Sequence, residues 1–269
     1  MEPMTRREVL ATASLAALSA SSSAADPKAN CDPPPTPPKA NPFRIGIVLY
    51  QGATLLDFIG PIQIFAFTPR ADVVLLAQDM KCITSNEGPQ ILPQKTFADA
   101  KSLNLDAILV PGGGTGMNDA LGNKTYLAFL ASQGQVKWIT SVCNGALLLA
   151  AAGLLDGHEA ITHWAWLDSL RKFKAVKVPS CIYARFHKDR NRVTAGGVSS
   201  GIDAALFLSG LWFGDDIAKQ SQLTNQYAPQ PPYSDGIPVT ADPSVFTKAQ
   251  TDVKALVDTT NMIIDKLGR

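Results

Sequence analysis

The hydrophobic pattern divides the chain into short apolar runs separated by helix-like or polar stretches. FRIGIVLY (43–50), ADVVLLAQ (71–78), DAILV (106–110) and residues 137–142 are near-continuous apolar runs rich in β-branched residues, the pattern of strands buried on both faces. Between them, residues 59–67, opened by Gly60-Pro61, and 117–132 read as helices. Residues 83–92, polar and punctuated by Gly and Pro, suit a hairpin excursion. Residues 146–155 carry the Ala/Leu composition of a buried helix and 164–173 suggest another. Residues 175–178, 182–187 and 192–195 are compatible with strands, and a helix, IDAALFLSGLWF, follows with Ser199 or Ser200 as its cap. Residues 215–227 read as a helix with a polar face and 229–243 as a Pro-rich segment. Residues 245–267 form an amphipathic helix, which suits either a cover over the sheet or a dimer seam. Alternating strands and helices of this kind predict a doubly wound, mostly parallel α/β sheet with helices on both faces.

Composition adds little to that pattern but removes some functions. With 24 Lys and Arg against 23 Asp and Glu the net charge is +1, and no basic stripe points to nucleic acid. Four cysteines, Cys31, Cys82, Cys143 and Cys181, are too few and too scattered for a disulfide framework or a zinc site, although a bridge involving Cys82 or Cys181 is conceivable after export.

Residues 1–25 carry an Arg6-Arg7 pair, an Ala/Leu run and small residues before Asp26, the pattern of a twin-arginine signal peptide cleaved after Ala24 or Ala25. The apolar run is too short to remain as a membrane span. Residues 26–42 read as a Pro-rich linker, and 43–269 as a single domain with a C-terminal helical extension. The expected product is a soluble periplasmic or secreted protein with no membrane attachment after signal cleavage.

The candidate chemistry gathers at strand ends, because ligands of such sheets bind beyond the carboxyl edge. Cys143 lies between a strand and a helix with Asn144 and Gly145, a corner resembling a nucleophile elbow. There the N–H groups opening the next helix are expected to lower the thiol pKa and make a nucleophilic thiolate, while a buried inert cysteine is the competing reading. Gly112-Gly113-Gly114 lacks the spacing of a nucleotide loop; it suits close backbone approach to a small substrate, a glycine N–H and the Asn144 N–H making an anion hole, or a plain turn. Asp57, flanked by Leu55, Leu56, Phe58 and Ile59, is a candidate general acid or base of raised pKa, or an N-cap. His163, beside Trp164 and Trp166, is either a partner for Cys143 or a packed structural residue. His158 and His187 have no partner at metal spacing and read as surface residues.

VPGGG (110–114), SVCNGA (141–146), AAGLLDG (151–157), ITHW (161–164) and VTAGGVSSGIDAAL (193–206) together resemble the DJ-1/PfpI, or glutamine-amidotransferase-like, superfamily. LLDFIGP (55–61), ITHWAW and QYAPQPPY (226–233) resemble its isonitrile hydratase branch. The resemblance implies a flavodoxin-like fold, a homodimer, a cysteine nucleophile and no cofactor or metal. Carried onto this chain, it makes Cys143 the nucleophile, Asp57 its acidic partner and Gly112, Gly113, Asn144 and Gly145 the oxyanion and substrate-binding residues. His163 stands near the position of a cysteine-assisting histidine, and Asp203 resembles a helix-facing acid of the family. The implied reaction adds water to an isonitrile, a small-molecule substrate, to give an N-substituted formamide. Glyoxalase, deglycase or amidase chemistry is the enzymatic alternative. A ligand-binding sensor like the domain of AraC-type regulators is the non-catalytic one, although no basic helix-turn-helix pattern follows Phe213. At Asn144 the chain departs from the hydratases, which carry threonine there.

Overall fold

The apolar runs pair side by side in the computed structural model, which describes residues 39–268; the expected signal peptide, Cys31 and nearly all of the Pro-rich linker lie outside the described residues. In chain order the elements are β1 (Phe43–Val48), α1 (Leu55–Ala66), β2 (Ala71–Ala77), β3 (Ile83–Thr84), β4 (Gln90–Ile91), β5 (Lys95–Thr96), α2 (Phe97–Ala100) and β6 (Ala107–Val110). They continue through α3 (Thr115–Gly122), α4 (Lys124–Ser132), β7 (Trp138–Ser141), α5 (Gly145–Ala151), a 3-10 turn (Trp164–Trp166), α6 (Leu167–Arg171), β8 (Phe186–Asp189), β9 (Arg192–Ala195), α7 (Ser200–Phe213), α8 (Asp215–Thr224) and α9 (Pro243–Leu267).

The main sheet has the order β5-β2-β1-β6-β7-β9-β8 and is parallel except for β8, which runs antiparallel to β9. β3 and β4 form the expected hairpin excursion, a separate two-stranded sheet. Helices α1, α7 and α8 pack together as one group, while α3, α4, α5, α6 and α9 form another. Residues such as Ile45, Ile47, Leu76 and Ile108 are essentially sealed between the layers, each contributing roughly 1.5–3 kcal/mol by leaving water. The order in which strands are added reverses between β1 and β6: one connection runs from β1 outward to β2, and the chain later crosses back to β6 on the other side of β1. The crevice beyond the ends of β1 and β6 is therefore where a ligand of such a sheet sits.

Several elements differ from the sequence pattern. The helix expected over 117–132 is two helices, broken at Asn123, whose side chain accepts the Thr125 and Tyr126 N–H groups and caps α4. α1 starts at Leu55 rather than at Ile59, so Pro61 lies inside the helix and Asp57 in its first turn, with Thr54 as the cap position. α5 ends at Ala151, short of the expected 155. Residues 175–178 form no strand; Lys177 makes an isolated bridge to Glu159. Ser199 occupies the cap position of α7 without a side-chain capping bond, and its Oγ instead accepts from Arg185 Nη1 at 3.0 Å. α9 lies against α3, α6 and the 3-10 turn. A polar clasp holds it there: Trp166 Nε1 donates to Thr260 Oγ1 at 3.2 Å, and Thr260 Oγ1 donates to Asn118 Oδ1 at 2.7 Å. Among the described residues Cys82, Cys143 and Cys181 are free thiols.

Candidate active site

The loops after β1 and β6 are zipped together by the Ala53–Gly113 bridge and by Thr54 N donating to Gly112 O at 2.8 Å. This sets the first turn of α1 directly over the glycine run. Gly112 N–H donates to Asp57 Oδ2 at 2.8 Å. Gly113 N–H donates to Asn144 Oδ1 at 2.9 Å, and Asn144 Nδ2 returns a bond to Gly113 O at 3.0 Å. Asn144 thus clamps the glycine loop onto the elbow. A Cβ on Gly112 would stand 2.3 Å from Asn144 Oδ1, and one on Gly145 2.3 Å from Val110 O, so neither position admits a side chain without moving the backbone.

Cys143 itself has φ +58°, a left-handed conformation that a non-glycine residue adopts at a cost of about 1–3 kcal/mol. Two anchors hold it there: Cys143 N donates to Gly196 O at 2.8 Å, and Thr162 Oγ1 donates to Cys143 O at 2.9 Å. The strand–turn–helix elbow read from the sequence is therefore present with its strain. Asn144 N–H and Val198 N–H both point at the sulfur and favour its anion, but they are outweighed. Burial first, and then the Asp57 charge, push the thiol well above its ordinary range. This corrects the expectation of a lowered pKa: the resting group is a protonated thiol at neutral pH.

Asp57 is sealed from solvent. Burial raises its pKa to about 7; the Gly112 N–H opposes this, the nearby Glu87 charge adds to it, and the Cys143 thiol opposes it again. Oδ2 is engaged by Gly112, whereas Oδ1 is buried without a full hydrogen bond. Asp57 is therefore the titratable group of this site closest to neutrality, and it faces the thiol.

The remaining candidates separate from this pair. The N–H groups of Gly112 and Gly113 are spent on Asp57 and Asn144, that of Gly145 donates to Val142 O at 3.1 Å, and that of Asn144 faces the sulfur, so the anion hole expected from the sequence is already occupied. His163 caps the start of the 3-10 turn; its Nδ1 accepts the Ala165 N–H at 3.2 Å, and its ring packs against Trp164 and Trp166 at centroid distances of 5.2 and 5.3 Å. Burial lowers its pKa to about 4, which keeps it neutral, and no described hydrogen bond joins it to Cys143 or Asp57. His163→Gln is expected to lower the melting temperature through lost packing while turnover per folded molecule stays within about tenfold of the parent; a larger loss, in parallel thermal and kinetic assays, would make the imidazole a participant. Asp203 pairs with Arg185 and accepts the Tyr227 hydroxyl at 2.8 Å, a structural network.

Three further groups shape the site; Glu87 and Val198 gave no signal of this in the sequence, whereas Tyr50 stands at the end of the first strand, where site residues are expected. Glu87, from the hairpin excursion, accepts the Leu55 N–H at 2.8 Å and raises Asp57. Val198, at φ +25°, supplies the second N–H to the sulfur. Tyr50 donates its hydroxyl to Pro111 O at 3.0 Å beneath the glycine loop. A cavity of about 260 Å³ opens on the Val198 side, lined among others by His163, Tyr183, Ser199 and Ile237. Among the described residues no grouping of His, Cys, Asp and Glu could hold a metal ion, and no helix is long and apolar enough to cross a membrane.

A mostly parallel α/β sheet carrying a strained thiol elbow at its carboxyl rim, with a carboxylate from the first strand's connection beside it, defines the class. The chain belongs to the DJ-1/PfpI family, whose profile matches residues 43–209. It is 40% identical to the isonitrile hydratase of Pseudomonas putida over 209 residues, 77% of this chain and 89% of that protein. Among solved structures it is similar to a ThiJ/PfpI family protein from Pseudomonas syringae, with 32% identity, a TM-score of 0.79, and 89% of this chain and 99% of that one covered. Drosophila melanogaster DJ-1beta shares the fold at 20% identity, with a TM-score of 0.63 over 70% of this chain and all of the other.

Proposed function

We propose that this protein is a cysteine-dependent lyase that adds water to an isonitrile and releases an N-substituted formamide. The observation that carries the reading is the Cys143–Asp57 pair: a strained, protonated thiol beside a carboxylate whose pKa is raised to about 7 and whose Oδ1 has no other partner. The 40% identity to a hydratase supports it.

Isonitrile hydration needs a nucleophile and a proton delivered to the same carbon, and one thiol with one carboxylate supplies both. Asp57 Oδ1 takes the thiol proton as Sγ bonds to the terminal carbon, and the proton then passes to that carbon, leaving R–N=CH–S–Cys143. The Asn144 and Val198 N–H groups stabilise negative charge on sulfur during attack and departure. Asp57 next removes a proton from water as the water adds to the thioimidate carbon and delivers it to the nitrogen, giving R–NH–CH(OH)–S–Cys143. Collapse breaks the C–S bond as the hydroxyl proton passes through Asp57 to sulfur, and R–NH–CHO leaves with the thiol restored. The cavity beside Val198 takes the R group. Amidase chemistry draws less support, because the glycine N–H groups that would receive an acyl oxyanion are engaged by Asp57 and Asn144.

The pH profile of formamide formation tests the role of Asp57. Since the carboxylate must be ionised to accept the thiol proton, kcat/KM is expected to rise about tenfold per pH unit below 7 and to level above it. A profile flat from pH 5 to 8 would remove Asp57 as the base.

A further inference from the structure

A second sulfur lies apart from the elbow. Cys181 is a free, exposed thiol at the start of the turn that leads to β8. Its Sγ is 3.7 Å from Nδ1 of His187. His187 is fixed on β8, where it pairs across the strands with Thr194, and its side chain is only 16% exposed. On the far side of the ring, Nε2 lies 3.0 Å from Glu159 Oε2, a close contact that does not meet hydrogen-bond geometry. Glu159 is held in turn by its bridge to Lys177.

The order of these groups is informative. Because the imidazole turns opposite nitrogens to the thiol and the carboxylate, the three act in series and do not converge on one ligand. With Nε2 turned to the carboxylate, Nδ1 is the ring nitrogen that faces the sulfur and is placed to take the S–H proton, the arrangement that activates a thiol through a neighbouring base. Cys82 provides an internal contrast: it too is exposed and free, and none of the chain's three histidines contacts it among the described residues.

We propose that Cys181, His187 and Glu159 form a second reactive-thiol site that captures low-molecular-weight disulfides as mixed disulfides. In the capture step Cys181 Sγ attacks one sulfur of RS–SR and its proton passes to His187 Nδ1. The Cys181–SR bond forms as the RS–SR bond breaks, and the departing thiolate takes the proton from the imidazolium as RSH. The disulfide is the sole oxidant required. The adduct would sit at the head of the 181–184 turn, whose Ile182, Tyr183 and Ala184 line the cavity beside Val198.

Incubating the reduced full-length chain with glutathione disulfide at pH 7, with peptide mapping by mass spectrometry over time, tests this. Cys181 is expected to be modified at least about tenfold faster than Cys82 in the same sample, and His187→Gln is expected to bring the two within about twofold. Equal rates in the parent protein would overturn the proposal, as would a His187→Gln variant with native circular dichroism and an unchanged Cys181 rate. Should that variant not fold, the Cys181-to-Cys82 ratio of the parent decides alone.

Discussion

Replacing Cys143 by alanine is expected to reduce isonitrile turnover to the uncatalysed rate, a loss of at least about 10⁴-fold, while the fold persists. The neighbouring side chains give no equivalent nucleophile: Asn144 is committed to Gly113, His163 to Ala165 and the Thr162 hydroxyl to the Cys143 carbonyl, and a thiol is the strongest nucleophile among the groups present. The structural cost is small. The backbone bonds that hold residue 143, from its N–H to Gly196 and from Thr162 to its carbonyl, do not involve the sulfur. Alanine shares the Cβ that makes φ +58° costly, so the strain is common to both proteins. Steady-state kinetics beside circular dichroism separate the two effects; a folded variant retaining a tenth of parental turnover would move the chemistry elsewhere.

Asp57→Asn is expected to lower kcat/KM by about 10²–10⁴ and, unusually, to stabilise the protein as pH rises. In the unfolded chain the carboxyl ionises near 3.8, whereas in the folded protein it ionises near 7. Below pH 3.8 both states are protonated and no penalty exists. Between 3.8 and 7 the unfolded chain releases a proton that the folded protein retains, so stability falls with pH. Above 7 the penalty is constant, at about 4 kcal/mol for a shift of this size. Asparagine can still accept the Gly112 N–H, and it carries no charge to desolvate. Denaturant titrations at pH 4 and pH 8 should therefore show little gain at the first and up to a few kcal/mol at the second. An identical difference at both would mean that Asp57 is not held near neutrality by burial. The same pH dependence makes the site a local weakness of the fold, a cost that accords with the proposed chemistry.

Much of this was legible from residues close together in the chain. β1, β6 and β7 are continuous apolar runs because parallel strands are covered on both faces, and the elbow declared itself through a strand, Cys143-Asn144-Gly145 and an Ala/Leu helix in immediate succession. What escaped depends on segments remote in sequence. The thiol pKa was misread because the local view contains the helix N–H groups but neither the depth of burial nor the Asp57 charge brought in from the β1–α1 connection. The engagement of the glycine N–H groups is hidden for the same reason: the carboxylate and amide that occupy the Gly112 and Gly113 N–H groups arrive from two other loops. Glu87 caps the opening of α1 from a hairpin whose polar sequence gives no hint of that contact. The break at Asn123 was hidden because helix-forming residues continue on both sides of it.

The most direct measurement is formation of N-alkylformamide from a small alkyl isonitrile, followed by product NMR with purified protein and Cys143→Ala side by side. Catalytic conversion by the parent and none by the variant is the expected result. No conversion by a folded parent whose Cys143 still reacts with a thiol probe, or equal conversion by both proteins, would contradict hydration at the Cys143–Asp57 pair.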